Sequence, residues 1–182
     1  VLEFTKDRMC NYLDRQYMLG DNLLVAPIFN EESVGEYYLP VGEEGKKNIW
    51  TNFFTGEEQE AGKWHCGKYG YCDIPLMVRP NAIVAIGACD DNPEYDYADN
   101  VLLRVFALEE GQVAKTEVYN MAGELDFTAE AVLKDGKITI TTDAKKPYRV
   151  ELVNVVAASA DGAVATQEEK STFLTDCANT VT

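Results

Sequence analysis

The chain alternates between short apolar runs and polar turns, and its central stretch shows the pattern most clearly. Two apolar runs, residues 74–78 and 82–86, are separated by Arg79-Pro80-Asn81. Runs of this length that are rich in valine and isoleucine and bounded by proline and glycine are typical of buried β-strands. Because proline has no amide hydrogen and a fixed φ, Pro80 is expected at a bend or at a sheet edge.

Strand signals separated by turns also fill the region before this stretch. Residues 23–26 are apolar at every position and end at Pro27, which predicts burial on both faces, as in a parallel or barrel strand. Further strands are expected at residues 36–39 and within residues 48–54. The glycine- and tyrosine-rich residues 67–73 are expected at a hairpin tip. This spacing predicts an antiparallel β-sandwich.

The second half of the chain alternates between apolar and polar positions, with the period of two that half-buried strands show. The segments with this pattern are residues 101–108, 113–119, 125–133, 137–142 and 147–156. Asp135-Gly136 predicts a tight hairpin turn, and residues 171–174 favour one more strand. Only residues 5–17 have a pattern compatible with a helix, so the predicted fold class is all-β.

One polar segment predicts a boundary between two β units. Residues 89–100 are acidic, contain Pro93 and have almost no aliphatic side chains, as linkers between domains do. We therefore expect two β units, with residues 89–100 as a linker or a crossover connection between them.

Composition narrows the classes of partner. With 46% hydrophobic residues, the chain of 182 residues has enough apolar material for a real core. The net charge of −15 argues against nucleic acid and against anionic membranes, because phosphate groups attract clusters of lysine and arginine. No apolar run approaches the roughly 20 residues that span a bilayer. We therefore expect neither a nucleic-acid partner nor a membrane partner.

The residues that usually carry chemistry form no recognisable constellation. His65 is the only histidine, which excludes a site built on several histidines. The acidic residues from Asp90 to Asp99 lack the glycine and the terminal glutamate of a calcium loop. Cys66 and Cys72 could meet across a hairpin, but the odd number of cysteines favours reduced thiols and a cytoplasmic location. No metal, cofactor or catalytic residue is expected.

Aromatic side chains offer one candidate binding surface. Trp50, Trp64, Tyr69 and Tyr71 could together form a platform on which sugar rings stack, since amphipathic rings suit carbohydrate faces. The alternative is that these aromatic side chains belong to the core of the sandwich.

Several segments in order resemble glycoside hydrolase family 31. They are residues 1–4 (VLEF), 12–21 (YLDRQYMLGD), 23–29 (LLVAPIF), Tyr37-Tyr38-Leu39-Pro40 with Trp50 and Thr55-Gly56, and residues 74–81 (IPLMVRPN). Many family members have glycine at the position of Asn81, and the asparagine here resembles the α-xylosidase branch of the family. The same holds for residues 85–87 (AIG) and for residues 96–106 (DYADNVLLRVF). The resemblance covers nearly the whole chain.

The resemblance implies a division of the chain and a function. Residues 1–29 would be a remnant of the last two strands of a (β/α)8 catalytic barrel. Two antiparallel β-sandwich domains would follow, a proximal one at residues 30–88 and a distal one at residues 101–182, with residues 89–100 as the linker between them. The family's catalytic aspartates lie on earlier barrel strands, so no catalytic residue is carried over to this chain.

The implied function is that of a non-catalytic C-terminal part of a retaining α-glycosidase. It would support the barrel that hydrolyses terminal α-xylosyl or α-glucosyl residues, and that barrel would be its partner. Two alternatives stay open. One is a carbohydrate-binding module with an oligosaccharide ligand, which rests on the four aromatic residues. The other is an oligomerisation domain that forms a homo-oligomer, which rests on the apolar surface that a missing barrel would leave exposed.

Overall fold

The computed structural model describes residues 3–42, 48–157 and 159–182, and these residues form β-strands with one short 3₁₀ helix among them. The helix spans Arg8–Tyr12, and the strands are β1 (Tyr17–Leu19), β2 (Leu23–Val25), β3 (Val34–Leu39), β4 (Ile49–Asn52), β5 (Glu58–Glu60), β6 (Lys63–Lys68), β7 (Leu76–Val78), β8 (Ala82–Ile86), β9 (Val101–Phe106), β10 (Val113–Tyr119), β11 (Leu125–Lys134), β12 (Lys137–Thr142), β13 (Tyr148–Leu152), β14 (Val164–Glu168), β15 (Ser171–Thr175) and β16 (Thr180–Val181). The predicted all-β class is confirmed. Val1 and Leu2, which begin the first family-like segment, lie outside the described residues.

The chain forms two compact units, Val1–Pro80 and Asn81–Thr182. Strand β8 belongs to the second unit because it pairs antiparallel with β9, where Ile83 lies opposite Val105. Both side chains are buried in the hydrophobic core of the second unit.

This division differs from the expected one, which placed β8 in a sandwich of residues 30–88 and a linker at residues 89–100. The acidic residues instead lie in a loop that connects the paired strands β8 and β9. Ala98 in that loop is buried in the core of the second unit. A polar loop within a sheet and a polar linker between domains have the same composition, so composition alone does not distinguish them.

The first unit combines two sheets around one core. Five strands in the order β1-β2-β7-β4-β5 form the larger sheet, and β3 pairs with β6 in a two-stranded ribbon. The core cluster contains Leu24, Trp50 and Met77 of the larger sheet and Tyr37 and Leu39 of the ribbon. Apolar side chains from both sheets therefore share one core, as expected of a sandwich.

Residues 1–29 do not form a separate barrel remnant. Strand β2 pairs antiparallel with β1 and with β7, and Leu24 lies opposite Met77. The expected parallel or barrel strand is thus an inner strand of an antiparallel sheet. Leu24 and Val25 are both buried, and successive buried positions show only that a strand is covered on both faces.

Two further sheets build the second unit. Their strand orders are β10-β11-β12-β16 and β14-β15-β13-β9-β8. Strand β11 alternates as predicted, with Phe127, Ala129 and Ala131 buried in the shared core. Strands β9 and β13 pair in parallel, an exception within sheets that the sequence analysis predicted to be antiparallel throughout.

A bidentate ion pair joins the two parallel strands. Arg104 on β9 and Glu151 on β13 are register partners, and the guanidinium Nε and Nη2 atoms lie 2.5 and 3.2 Å from the two carboxylate oxygens. Both side chains are largely buried. The Arg104 guanidinium also lies 5.2 Å from the ring centroid of Phe106. The pairing of both charges lets these polar groups lie within the sheet.

In one hairpin turn and in the C-terminal region, the local sequence was sufficient to predict the structure. Asp135 and Gly136 have φ values of 52° and 73°, which identify the two-residue hairpin turn that their sequence predicts. Residues 171–174 lie in β15, so the predicted extra strand is confirmed. Strand β14 has no buried position, which explains why alternation did not reveal it.

Asn81 begins the second unit with a left-handed backbone, and this position makes a testable contribution to stability. Its φ is 56°, its side-chain amide donates to Glu109 Oε2 at 2.6 Å, and its Oδ1 accepts from the Glu109 amide at 2.7 Å. We expect Asn81→Ala to lower the free energy of unfolding by about 2 kcal/mol, because alanine loses these bonds and pays the cost of the left-handed backbone.

Asn81→Gly is the matched control, because glycine loses the same bonds but adopts this φ without strain. Urea unfolding of both variants should show that Asn81→Gly is less destabilised, by about 1 kcal/mol. Equal losses in the two variants would contradict the role assigned to the backbone conformation.

Candidate interaction site of the first unit

A groove of ≈570 Å³ opens on the surface of the first unit. Three parts of the chain form its walls: residues 12–16 after the 3₁₀ helix, residues 27–30 after β2, and the β3–β6 ribbon with Trp64. Its position is fixed by contacts that hold the N-terminal segment against the ribbon.

Asp7 fixes the 3₁₀ helix and connects it to β3. Its Oδ1 accepts a hydrogen bond from the Met9 amide at 3.1 Å, which caps the helix. Its Oδ2 accepts bonds from the Tyr38 hydroxyl at 3.0 Å and from the Val41 amide at 3.1 Å. Cys10 is buried in the same region. One carboxylate thus positions the segment that leads into the groove.

The side chain of Gln16 completes the open edge of β3. Its Nε2 donates to the Tyr38 carbonyl at 2.7 Å, and its Oε1 accepts from the Tyr38 amide at 2.8 Å. A side-chain amide here takes the place of a neighbouring strand, so both backbone groups of Tyr38 are satisfied. The wall formed by residues 12–16 is therefore attached to the ribbon at a defined position.

Trp64 provides the aromatic surface of the ribbon. It lies opposite Tyr38 in the β3–β6 register, and the two ring centroids are 5.7 Å apart. The Trp64 side chain is 56% exposed, whereas Tyr38 is buried. Burial and the hydrogen bond to Asp7 raise the pKa of Tyr38 to about 12. The Trp64 indole thus packs against a tyrosine ring that is held in place by its hydrogen bond to Asp7.

The third wall follows β2 and ends in a turn. The Asn30 side chain donates to the Val34 carbonyl at 2.7 Å and accepts from the Val34 amide at 2.9 Å. Phe29, directly before it, is largely exposed, as is Tyr12 in the wall formed by residues 12–16. Sequence analysis did not select Tyr12 or Phe29 as site residues. Both residues lie in segments that resemble the family, and this position could have identified them as candidate site residues.

The four aromatic residues predicted as a sugar platform do not lie on one surface. Trp50 is 2% exposed, belongs to the core and donates from Nε1 to the Pro40 carbonyl at 3.0 Å. A buried indole presents no face to a sugar, so for Trp50 the alternative interpretation, a core residue, is correct. Tyr71 is fully exposed and does not line the groove. Of the four, Trp64 is the one that lines it.

Tyr69 has a structural role that the sequence did not reveal. Gly35 and Gly67 are register partners in the ribbon, and a Cβ at these positions would lie 2.9 and 3.1 Å from the Tyr69 ring. The ring therefore covers two positions that must lack side chains. Its hydroxyl donates to the Tyr37 hydroxyl at 3.3 Å, and burial raises the pKa of Tyr69.

His65 and the cysteines, which the sequence analysis also considered, do not line the groove. His65 Nε2 lies 2.8 Å from the Glu60 carbonyl oxygen, and its ring stacks on Tyr37 with centroids 5.6 Å apart. All five cysteines are free thiols. Within residues 3–42, 48–157 and 159–182, no three histidine, cysteine or acidic side chains are grouped to hold a metal ion. No helix in this part is long and apolar enough to cross a membrane.

Tyr38→Phe tests the anchoring of the groove, because it removes the hydroxyl that donates to Asp7 but keeps the ring beside Trp64. Loss of a hydrogen bond to a charged acceptor should lower the free energy of unfolding by roughly 1.5–3 kcal/mol at pH 7. The pKa of Tyr38 is raised from 10.0 to about 12 in the folded state. The contribution of the protonated hydroxyl to the free energy of unfolding is therefore complete below the pKa of tyrosine in the unfolded state. It is lost as the pH rises through the pKa of Tyr38 in the folded state.

Urea unfolding of the wild type and of Tyr38→Phe at a series of pH values from 7 to about 12 measures this effect. The difference between the two proteins should shrink above about pH 10, the unfolded pKa of tyrosine. A difference that stays constant over this range would contradict the assigned role of the hydroxyl.

Comparison with known proteins identifies the relatives of both units. The model of the glycosyl hydrolase family 31 C-terminal domain matches residues 1–84, and the model of the C-terminal domain of the alpha-xylosidase YicI matches residues 96–182. The first match includes β1 and β2, in agreement with their place in the sheet of the first unit.

Curated relatives and solved structures agree with these matches. The chain is 36% identical over 107 residues to an alpha-xylosidase of Emericella nidulans, covering 57% of this chain and 14% of the relative. It is 30% identical over 144 residues to the alpha-xylosidase XylQ of Lactiplantibacillus pentosus, covering 78% of this chain and 18% of the relative. A family 31 dextranase of Flavobacterium johnsoniae, solved with isomaltotriose, has the same fold with a TM-score of 0.76, 16% identity and coverage of 99% of this chain and 28% of that chain.

The chain thus spans less than a fifth of the length of these two curated relatives. Its two family matches follow one another along the sequence and both describe C-terminal domains. The chain belongs to glycoside hydrolase family 31 and corresponds to the C-terminal β-rich part of its alpha-xylosidase-like members.

Proposed function

We propose that this chain is the non-catalytic C-terminal β-sandwich portion of a retaining α-glycosidase similar to α-xylosidases. In that role it supports the catalytic (β/α)8 barrel, which hydrolyses terminal α-xylosyl or α-glucosyl residues. The order of the two family matches and the names of the curated relatives support this proposal.

The exposed apolar edge of the first unit carries the proposal. Strand β1 lies at the edge of the five-stranded sheet, and Tyr17 and Leu19 on the same side of it are 54% and 53% exposed. An edge strand with large apolar side chains is a surface that proteins normally cover. In the proposed enzyme, the catalytic barrel covers this edge.

The carboxylates of the groove support a non-catalytic role. A retaining glycosidase needs one carboxylic acid whose apolar surroundings keep it protonated, and a second carboxylate about 5–5.5 Å away. Asp14, Glu32 and Glu36 are all at exposed positions, which lack the apolar surroundings that such an acid needs. None of them has the environment of a general acid.

The isolated chain should show no turnover of an aryl α-xyloside above the rate of a protein-free blank. The same assay on the longer gene product that contains this chain should release the aryl alcohol. The Asp14→Asn variant of the isolated chain serves as a matched background control. Turnover by the isolated chain that falls in Asp14→Asn would contradict the proposed non-catalytic role.

Replacing both Tyr17 and Leu19 with serine tests the proposed contact with the barrel. In the longer gene product, we expect the double variant to lower the melting temperature by several degrees, because a cost of about 1 kcal/mol in a large protein shifts it by roughly 2–4 °C. In the isolated chain, where both side chains are exposed, the change should be small. Differential scanning calorimetry measures both.

Val164→Ser is the matched control, since Val164 is 55% exposed on β14 of the second unit. It should leave the melting temperature of both proteins unchanged. Equal effects of the double variant on both proteins would contradict a contact with the barrel. If the isolated chain is a dimer in light scattering and the double variant is a monomer, β1 is a self-association surface instead.

A further inference from the structure

We propose that the groove of the first unit binds a neutral oligosaccharide, with Trp64 as the ring on which a sugar stacks. The site is formed by this chain alone and lies on residues other than Tyr17 and Leu19. The proposal therefore goes beyond the supporting role and does not depend on contact with a catalytic barrel.

The aromatic surface of the groove is rigidly presented. Trp64 packs on Tyr38, whose hydroxyl donates to Asp7 and whose backbone amide and carbonyl are both bonded to the Gln16 side chain. A rigid aromatic side chain loses little conformational entropy when a ligand binds, which favours affinity. An exposed indole that is held in this way offers an apolar face bordered by polar groups, as pyranose rings require.

Unengaged polar side chains surround the aromatic surface. In the part of the chain that the structure describes, the side chains of Asp14, Arg15 and Glu36 line the groove without a hydrogen bond or ion pair. Sugar hydroxyls are both donors and acceptors, and carboxylates and guanidinium groups satisfy them with paired bonds. By contrast, the side chains of Gln16 and Asn30 are already bonded to the backbone, so they shape the groove.

The charge of the groove selects the class of ligand. Three residues with carboxylates, Asp14, Glu32 and Glu36, line the groove together with one residue that has a guanidinium, Arg15. This excess of negative charge disfavours phosphorylated or carboxylated ligands. A neutral sugar is unaffected by it. The groove volume of ≈570 Å³ also lies within the range of about 300–1,000 Å³ that is usual for small-molecule sites.

Tryptophan fluorescence measures binding directly, because the chain has only two tryptophans and Trp50 is buried in the core. The probes are isomaltotriose and α-D-xylopyranosyl-(1→6)-D-glucose, titrated to about 10 mM, which detects dissociation constants in the millimolar range. We expect saturable quenching or a blue shift from Trp64 in the wild-type chain with at least one probe. The absence of any saturable change, confirmed by isothermal titration calorimetry, would overturn the proposal.

Three variants locate the site by calorimetry. Trp64→Ala should weaken binding at least tenfold, and Trp64→Phe, which keeps an aromatic face, should weaken it less. Tyr71→Ala is the matched control, because Tyr71 is an exposed aromatic residue outside the groove, and it should bind as the wild type does. Circular dichroism confirms that each variant is folded. Binding that survives Trp64→Ala, or that depends on Tyr71, would overturn the assignment.

Ionic strength distinguishes a neutral sugar from a basic partner. The affinity for the sugar probes should be the same at 50 mM and 500 mM salt, because no charged ligand is involved. A tri-lysine peptide that binds the groove more tightly than either sugar, and that is released by salt, would overturn the proposed ligand class. The fluorescence of Trp64 reports on both titrations in the same samples.

Discussion

The hydrogen bonds between the Gln16 side chain and the backbone of Tyr38 hold the N-terminal segment of the first unit against its β-ribbon. Without them, the outer edge of β3 would leave the amide and the carbonyl of the buried residue Tyr38 without a partner. Asp7 adds a second attachment through the Tyr38 hydroxyl. The groove exists because these two attachments keep a segment without regular secondary structure at a fixed distance from Trp64.

The second unit depends on a different constraint, the parallel pairing of β9 and β13 in an otherwise antiparallel sheet. Parallel strands need a long connection, and here that connection is the whole β10–β11–β12 meander. The meander becomes the opposite sheet of the sandwich. The ion pair of Arg104 and Glu151 lies across the parallel strands and fixes their register, because a slip by one residue would separate two largely buried charges.

Sequence patterns predicted this fold well where local chemistry decides the outcome. The alternation of β11, the turn at Asp135-Gly136 and the strand at residues 171–174 were correct because each depends on neighbours along the chain. The division into units was not correct at β8, because the partner of a strand depends on distant residues. The pattern that marks a strand does not identify its partner.

The candidate site was less accessible to sequence analysis than the fold. Of the four aromatic residues that composition suggested, Trp64 lines the groove, Trp50 is in the core and Tyr69 covers two glycines. An aromatic residue suits a core and a sugar surface equally well, so the residue type does not decide between them. The distinction depends on where the fold places each side chain. Trp64 lies on β6 of the ribbon with its side chain exposed, whereas Trp50 lies on β4 of the larger sheet, inside the core.

The distribution of strands along the chain also has a consequence for synthesis. All strands of the first unit lie before Pro80, so this unit can close while later residues are still being added by the ribosome. The second unit is different, because β16, at residues 180–181, pairs with β12, and β15 lies between β13 and β14. Since domains fold as units during translation, the nascent chain would carry a finished first unit and an incomplete second one until its last strand emerges.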